Sequence, residues 1–156
     1  MGKLDAHKRG LRHKAVSVFI NCGDATLLQQ RALFKYHSPG LWANACCTHP
    51  FWEENPADCA VRRLEEELNV MDAAPDYRGH VHYRADVGSD LIEDEEVDVF
   101  VVEAPLRISV TPNPNEVMGV RWVRFSDLAD EIGAHGSQFT PWLRIYLSKH
   151  SEMIRA

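Results

Sequence analysis

The chain has 156 residues, of which 45% are hydrophobic and 26% charged, and a formal net charge of −6. This length suits one domain with one core, and the negative charge argues against nucleic acid or an anionic membrane as the partner. No apolar run approaches the roughly 18 residues of a bilayer span, so we expect no membrane insertion. The first residues lack the apolar stretch of a secretory signal, which predicts a cytoplasmic location and reduced cysteines.

The predicted elements begin with a hairpin, because residues 14–20 are apolar and β-prone, residues 21–24 are typical of a turn, and residues 26–32 resume a strand. Residues 34–42 indicate a loop. The remaining predicted elements are a helix over 57–68 that begins at Asn55 and Pro56, strands over 77–84, 96–103 and 118–125, a short helix over 127–132 capped by Ser126, and a final helix over 142–150. This order predicts an α+β fold, a mixed β-sheet flanked by helices in one compact domain over residues 1–156.

The helix over 57–68 has one apolar face, formed by Ala57, Ala60, Val61, Leu64 and Leu68. Arg62 and Glu66 fall on the opposite side, towards solvent. Arg63 and Glu67 lie on one flank, one turn apart. By spacing alone, the favoured interpretation of this pair is an ordinary surface ion pair. The alternative is that both side chains point into a cleft beside the core.

The same stretch resembles the signature of the Nudix hydrolases, with matching residues at Glu54, Arg62, Leu64, Glu66, Glu67 and Val70. Thr48 and Asn69 replace two glycines of that signature, and Arg63 replaces a glutamate. Nudix hydrolases use clustered glutamates to hold several Mg²⁺ ions around a diphosphate, and exchanging one for a cation should weaken that binding. Arginine can instead bind phosphate oxygens through two hydrogen bonds. The resemblance therefore implies a Nudix-like fold with compromised hydrolysis.

The segment from Trp42 to Pro50, with Cys47 two residues before His49-Pro50, resembles the type I isopentenyl-diphosphate isomerases. Similar segments extend over nearly the whole chain. The resemblance implies an enzyme that interconverts isopentenyl diphosphate and dimethylallyl diphosphate through a tertiary carbocation, with a small isoprenoid diphosphate as its partner. It assigns catalysis to Cys47, Glu96, Tyr83 and Trp142, and diphosphate binding to Lys3, Arg31, Lys35 and Arg63.

Cys47 and Glu96 are expected to face each other across a flat substrate, because moving a double bond adds one proton and removes another. Tyr83 is expected near Glu96. The π face of Trp142 is expected to stabilise the cation. The assignment of acid and base to Cys47 and Glu96 is left open.

The resemblance also implies two metal sites. One is assigned to His7, His13, His49, Asp94 and Glu96, with Cys47 as a further metal residue. Such a ligand set suits Mn²⁺ or Zn²⁺ better than Mg²⁺, which is the third candidate. A separate Mg²⁺ is implied between the diphosphate and Glu67. The other histidines, among them His37, His80 and His82, are expected to have ordinary structural or surface roles.

Two alternatives remain open. A Nudix hydrolase of a nucleoside diphosphate derivative would release phosphate and have no need of Cys47. A binding module without turnover would hold a diphosphate and form no product. Oligomeric state and metal identity are left open as well.

Overall fold

A computed structural model describes residues 12–35, 37–88 and 90–155. Within these ranges the chain forms one mixed seven-stranded sheet flanked by helices, which confirms the predicted α+β class. The strands are β1 (Arg12–Cys22), β2 (Ala25–Arg31), β3 (Trp42–Asn44), β4 (Cys46–Thr48), β5 (Asp76–Gly88), β6 (Leu91–Glu103) and β7 (Val117–Arg124). The helices are α1 (Pro56–Leu68), α2 (Phe125–His135), α3 (Pro141–Lys149) and α4 (Ser151–Ile154), with a 3-10 turn over Gly136–Gln138.

The strands of the first hairpin, β1 and β2, diverge away from their turn and leave a gap between them. The strands β1 and β2 pair only beside their turn, at Asn21–Thr26 and Cys22–Ala25. Farther from the turn, β1 pairs with β4 and lies parallel to β6, while β2 pairs with β3 and β7. The short strands β3 and β4 therefore fill the space between the diverging strands. This places the segment around Cys47 in the middle of the molecule.

Hydrophobic cores cover both faces of the sheet, because successive side chains on a strand point to opposite sides. One core packs against α2, α3 and α4 and includes Phe19, Val97, Val99, Trp142 and Tyr146. The other packs against α1 and includes Val16, Val18, Leu64, Leu68 and Phe100. Burial on both faces explains why residues 15–20 of β1 are a nearly continuous apolar run.

Helix α1 has the predicted boundaries. The side chain of Asn55 accepts a hydrogen bond from the backbone N–H of Ala57 at 2.8 Å, and Pro56 is the first helical residue. The helix ends at Leu68, and Asn69 caps it with a left-handed backbone (φ 55°) that asparagine tolerates better than most residues. Cys59 joins the buried face, whereas Val61 is only partly buried.

Residues 42–48 form β3 and β4, strands too short to show an alternating pattern, so the predicted loop over 34–42 ends one residue earlier than expected. Two other predictions about local structure were wrong. Strand β6 begins at Leu91 instead of residue 96, because pairing with β1 and β5 carries its acidic residues into the sheet. Ser126 is not a cap, since α2 begins at Phe125 with Arg124 at the capping position and no side-chain bond. Among the described helices, none is long and apolar enough to span a bilayer.

Candidate active site

A cleft lies where β1 and β2 diverge, and it holds about 550 Å³ when its open mouth is included. Strand β4 contributes Cys47 and its end leads to His49, while β5 contributes Tyr83 and α3 contributes Trp142. Of the predicted residues, the cleft also contains Arg31, Lys35, Arg63 and Glu67. The predicted residues Lys3 and His7 lie outside the described ranges.

The acidic residues in the cleft are Glu93 and Glu95, so the prediction of Asp94 and Glu96 was wrong by one position. The hydroxyl of Tyr83 lies 2.6 Å from Oε1 of Glu93 and 3.0 Å from Oε2 of Glu95. Because side chains alternate along β6, Asp94 and Glu96 point to the other face of the sheet. The expected apposition of Cys47 and Glu96, with Tyr83 beside Glu96, is wrong for the same reason.

On that other face, Asp94 bonds to His82 at 2.6 Å and to Arg12 at 3.4 Å, and Glu96 lies 3.8 Å from Arg12. The sequence contained a signal for the correct register. The odd-numbered residues of β6 share one face of the strand, and on that face Glu93 and Glu95 are followed by the buried Val97, Val99 and Val101. Asp98 is on the other face, with Asp94 and Glu96. The valine alternation therefore indicates that odd-numbered positions face the core beside the cleft.

A candidate metal centre is formed by His13, His49 and Glu95. Nε2 of His13 lies 2.9 Å from Oε1 of Glu95, Nε2 of His49 lies 2.8 Å from the same oxygen, and the two nitrogens are 3.0 Å apart. Ligands about 2.0–2.2 Å from one ion are themselves about 3 Å apart, so this spacing fits a shared divalent cation. The thiol of Cys47 lies outside this group, so its prediction as a metal residue was wrong.

The carboxyl group of Glu95 is ionised at neutral pH. Burial raises its pKa, but the hydrogen bonds and charges of His13 and His49 outweigh burial and hold the pKa below its usual value. Burial and the neighbouring charges of Glu95 and Glu93 raise the pKa of Tyr83 well above its usual value. Tyr83 therefore keeps its proton and serves the two carboxylates as a hydrogen-bond donor.

Burial also raises the pKa of the Cys47 thiol, and nearby Glu93 and Glu95 add to this effect while the hydrogen bond with Ser17 opposes it. The thiol is therefore protonated at neutral pH. The adjacent Cys46 points to the opposite face, where its Sγ lies 3.1 Å from Oε2 of Glu67. The side chains of Cys46 and Cys47 therefore lie on opposite faces of the sheet, because successive side chains on a strand alternate.

The pair Arg63–Glu67 lies in the cleft, so the interpretation as an ordinary surface pair was wrong. The distance between Nη2 of Arg63 and Oε2 of Glu67 is 3.2 Å, and the two side chains are 17% and 5% exposed. Glu67 also accepts a hydrogen bond from Gln29 at 3.2 Å. Glu116 lies 3.5 Å from Arg63 and pairs with Lys35, which joins the cations at this end of the cleft.

Three nitrogen donors of the cleft have no hydrogen-bond partner within the described residues, although they are buried: Nε of Arg31, Nε of Arg63 and the indole Nε1 of Trp142. Leaving a buried donor unpaired costs about 1–3 kcal/mol, more for a charged group. Such donors are well suited to a ligand rich in acceptor oxygens. A diphosphate has that chemistry.

His37 is a cleft residue that sequence reasoning missed. Its side chain is 5% exposed, and its Nε2 lies 3.6 Å from Oε2 of Glu93. Its ring meets that of Trp142 edge to face, with centroids 5.7 Å apart. The sequence predicted a surface or structural role for His37. It could not place His37 in the cleft, because the loop that contains it has no periodic pattern.

Known proteins match this chain over most of its length. The family model of the NUDIX domain matches residues 11–143. An isopentenyl-diphosphate Delta-isomerase of Dinoroseobacter shibae is 59% identical over 99% of this chain and 88% of its own length. One from Roseobacter denitrificans is 60% identical over 97% of this chain and 86% of its own length.

Solved structures show the same fold at low identity. A Nudix hydrolase of M. smegmatis has a TM-score of 0.68 and 21% identity, covering 90% of this chain and 84% of its own. A protein from Deinococcus radiodurans has a TM-score of 0.71 and 16% identity, covering 86% of this chain and 80% of its own. With the family match over residues 11–143, the chain belongs to the Nudix domain family and, within it, to the isopentenyl-diphosphate Delta-isomerases.

Proposed function

We propose that this chain interconverts isopentenyl diphosphate and dimethylallyl diphosphate. The observation that carries the proposal is a single cleft that combines a protonated thiol, a buried ionised carboxylate and unpaired cationic donors. Cys47 and Glu95 supply the first two, and Arg31 and Arg63 supply the donors. The relatives with about 59% identity bear the name of this isomerase.

The diphosphate would be bound by Arg31, Lys35 and Arg63. Both arginines present a buried, unpaired Nε–H, and a guanidinium can give two parallel hydrogen bonds to phosphate oxygens. Glu67 lies beside Arg63 and would hold a Mg²⁺ ion that accompanies the diphosphate. Lys35 is paired with Glu116, so its ammonium group is held at the same end of the cleft.

The group of His13, His49 and Glu95 would hold a second divalent cation. Two imidazoles and a carboxylate suit Mn²⁺ or Zn²⁺, with Mg²⁺ the less favoured candidate. When bound, that cation supplies positive charge that neutralises the crowded ligands and fixes the Glu95 carboxylate. The protein's contribution is the convergence of the ligand atoms, which are 2.8–3.0 Å apart.

The reaction requires one proton to enter and one to leave. The electron pair of the terminal double bond forms a new C–H bond, which leaves a tertiary cation, and loss of a proton from the adjacent carbon restores a double bond. The thiol of Cys47 and the Glu95 carboxylate, the latter bonded to Tyr83, are proposed as the two proton-handling groups. Because the reaction is reversible, the acid of one direction is the base of the other.

The cation must be kept from water, which would trap it as an alcohol. Trp142 is 1% exposed and forms a wall of the cleft. An aromatic face stabilises a desolvated cation by about 2 kcal/mol. This is a minor part of the roughly 8–23 kcal/mol by which enzymes lower barriers, so proton transfer and positioning must provide most of the acceleration.

The test is incubation of the protein with isopentenyl diphosphate and Mg²⁺ in D₂O. We expect dimethylallyl diphosphate that carries deuterium, with no free phosphate. We expect Cys47→Ala to abolish turnover and Cys59→Ala to retain it, since Cys59 is buried in the core beneath α1. Release of phosphate would support a hydrolase, and normal turnover by Cys47→Ala would remove the thiol from the mechanism.

A further inference from the structure

The thiol of Cys47 lies in a chain of hydrogen bonds that extends away from the cleft into the core. The hydroxyl of Tyr146 donates to Oγ of Ser17 at 2.8 Å. Oγ of Ser17 lies 3.2 Å from Sγ of Cys47, which in turn lies 3.1 Å from Oδ1 of Asn44. Ser17, Asn44 and Tyr146 are at most 3% exposed, so water does not compete for these bonds.

The backbone around Asn44 determines the direction of the chain. The Nδ2 amide group of Asn44 donates to the carbonyl oxygens of Val18 at 2.9 Å and Cys46 at 3.0 Å. Only the nitrogen end of the amide can make these two bonds, so Oδ1 must be the atom that faces Cys47. Since Oδ1 can only accept, the S–H proton of Cys47 points towards Asn44.

The other end of the chain gives the same direction. Burial raises the pKa of Tyr146 well above its usual value, so Tyr146 remains a donor. Oγ of Ser17 accepts the hydrogen bond from Tyr146, so the Ser17 hydroxyl can donate its own hydrogen to the sulfur of Cys47. Every bond then runs one way, from Tyr146 through Ser17 and Cys47 to Asn44. Hydrogen bonds aligned in this manner polarise one another and strengthen the chain.

We propose that Ser17 and Tyr146 are positioning residues for the Cys47 thiol, which they hold in one orientation and supply with a hydrogen-bond donor throughout the reaction. This inference rests on the proposed isomerase function. The Ser17 donor remains in place when sulfur has given up its proton, and a fixed donor in a dry site stabilises the resulting negative charge. Tyr146 touches the sulfur only through Ser17, so its effect must pass through that hydroxyl.

The test compares kcat and KM of the wild type, Tyr146→Phe, Ser17→Ala and the double variant. We expect each single variant to lower kcat about tenfold, equivalent to about 1.4 kcal/mol, with KM within about twofold. The double variant should be no slower than Ser17→Ala, because the Tyr146 hydroxyl has no separate route to Cys47. Ser17→Thr, which retains a hydroxyl, should recover most of the activity.

Tyr77→Phe is the matched control, because the Tyr77 hydroxyl bonds to Asp98 outside the cleft. It should leave kcat unchanged. Unaltered kcat in Tyr146→Phe, or a double variant slowed by the product of the two single effects, would overturn the inference. Thermal melts check that each variant is folded. If Tyr146→Phe does not fold, the kcat of Ser17→Ala decides the test.

A readout without turnover separates this inference from the isomerase proposal. The infrared S–H stretching band of Cys47 is obtained by subtracting the spectrum of Cys47→Ala. We expect a single narrow band in the wild type that broadens in Tyr146→Phe, since the Ser17 hydroxyl, no longer oriented by Tyr146, can then either donate to Cys47 or accept from it. A wild type without isomerase activity would refute the proposed function, whereas an unchanged band would refute the positioning role.

Discussion

Nε2 of His49 lies 2.8 Å from Oε1 of Glu95, although 46 positions separate the two residues in the chain. The sheet brings them together. His13 is opposite Glu95 in the parallel pair of β1 and β6, and Thr48, the neighbour of His49, is opposite Val16 of β1. Strand pairing therefore builds the metal group from three distant segments.

We expect His49→Ala to weaken the affinity for Mn²⁺ or Zn²⁺ by at least about 100-fold, because it removes one ligand of the group. Isothermal titration calorimetry of the metal alone measures this. His80→Ala is the control, since His80 is exposed on the other face of the sheet beside Asp98. Equal affinities for the two variants would contradict the assigned metal centre.

Removal of the metal should also lower thermal stability. A cation present at 100 times its dissociation constant stabilises the folded state by about 2.7 kcal/mol when it does not bind the unfolded chain. We expect a chelator to lower the melting temperature of the wild type and to have little effect on His49→Ala. A similar decrease in both proteins would place the stabilising cation elsewhere.

The register of β6 yields a sharp contrast between neighbouring residues. Glu95→Gln should lower kcat by about 10²–10⁴-fold, the usual contribution of a positioned acid or base. Glu96→Gln should stay within about threefold of the wild type, because Glu96 faces Arg12 on the other side of the sheet. Steady-state kinetics at saturating metal measure both kcat values. A larger loss of kcat in Glu96→Gln than in Glu95→Gln would support the register expected from the sequence.

Arg63→Lys should raise KM for the diphosphate at least about tenfold, because lysine keeps the charge but loses the planar pair of donors. Glu67 and Glu116 retain a cationic neighbour, so the melting temperature should change little. Arg78→Lys provides the matched control, since Arg78 pairs with Asp76 and Glu103 outside the cleft. An unchanged KM in Arg63→Lys would exclude a two-bond contact with phosphate.

The pair Glu54–Arg62 should stabilise the fold in a pH-dependent way. Nε and Nη2 of Arg62 donate to the two Glu54 oxygens at 2.8 and 2.9 Å, which lowers the pKa of Glu54 from 4.5 to about 2. Because the folded pKa is the lower one, this stabilisation is present in full above about pH 4.5 and is lost as the pH falls through about 2.

We therefore expect Glu54→Gln to lower the free energy of unfolding by about 1–2 kcal/mol at neutral pH and by much less near pH 2. Urea denaturation at several pH values measures the difference. Glu65→Gln on the same helix is the control and should show no such trend. A difference between Glu54→Gln and the wild type that stays constant down to pH 2 would show that the Glu54 charge is not responsible.

Features that depend on neighbouring residues could be predicted from the sequence. Asn55 and Pro56 predicted the start of α1, and the apolar spacing predicted its buried side, because capping and helical periodicity act over one or two turns. The segment around Cys47 and His49 predicted the family, which the comparisons confirm. The order of the predicted elements was sufficient for the fold class, and the resemblance of this segment was sufficient for the family.

Only the tertiary structure decided which carboxylates enter the cleft and what surrounds the thiol. A shift of one residue reverses every side chain on a strand, so Glu95 or Glu96 could be chosen only once β6 was paired with β1 and β5. The contacts of Ser17, Cys47 and Tyr146 span 129 positions and depend on a helix packed on the sheet. The sequence by itself determined the residue types available for catalysis, and long-range pairing determined which of them meet, because local patterns contain no information about strand partners.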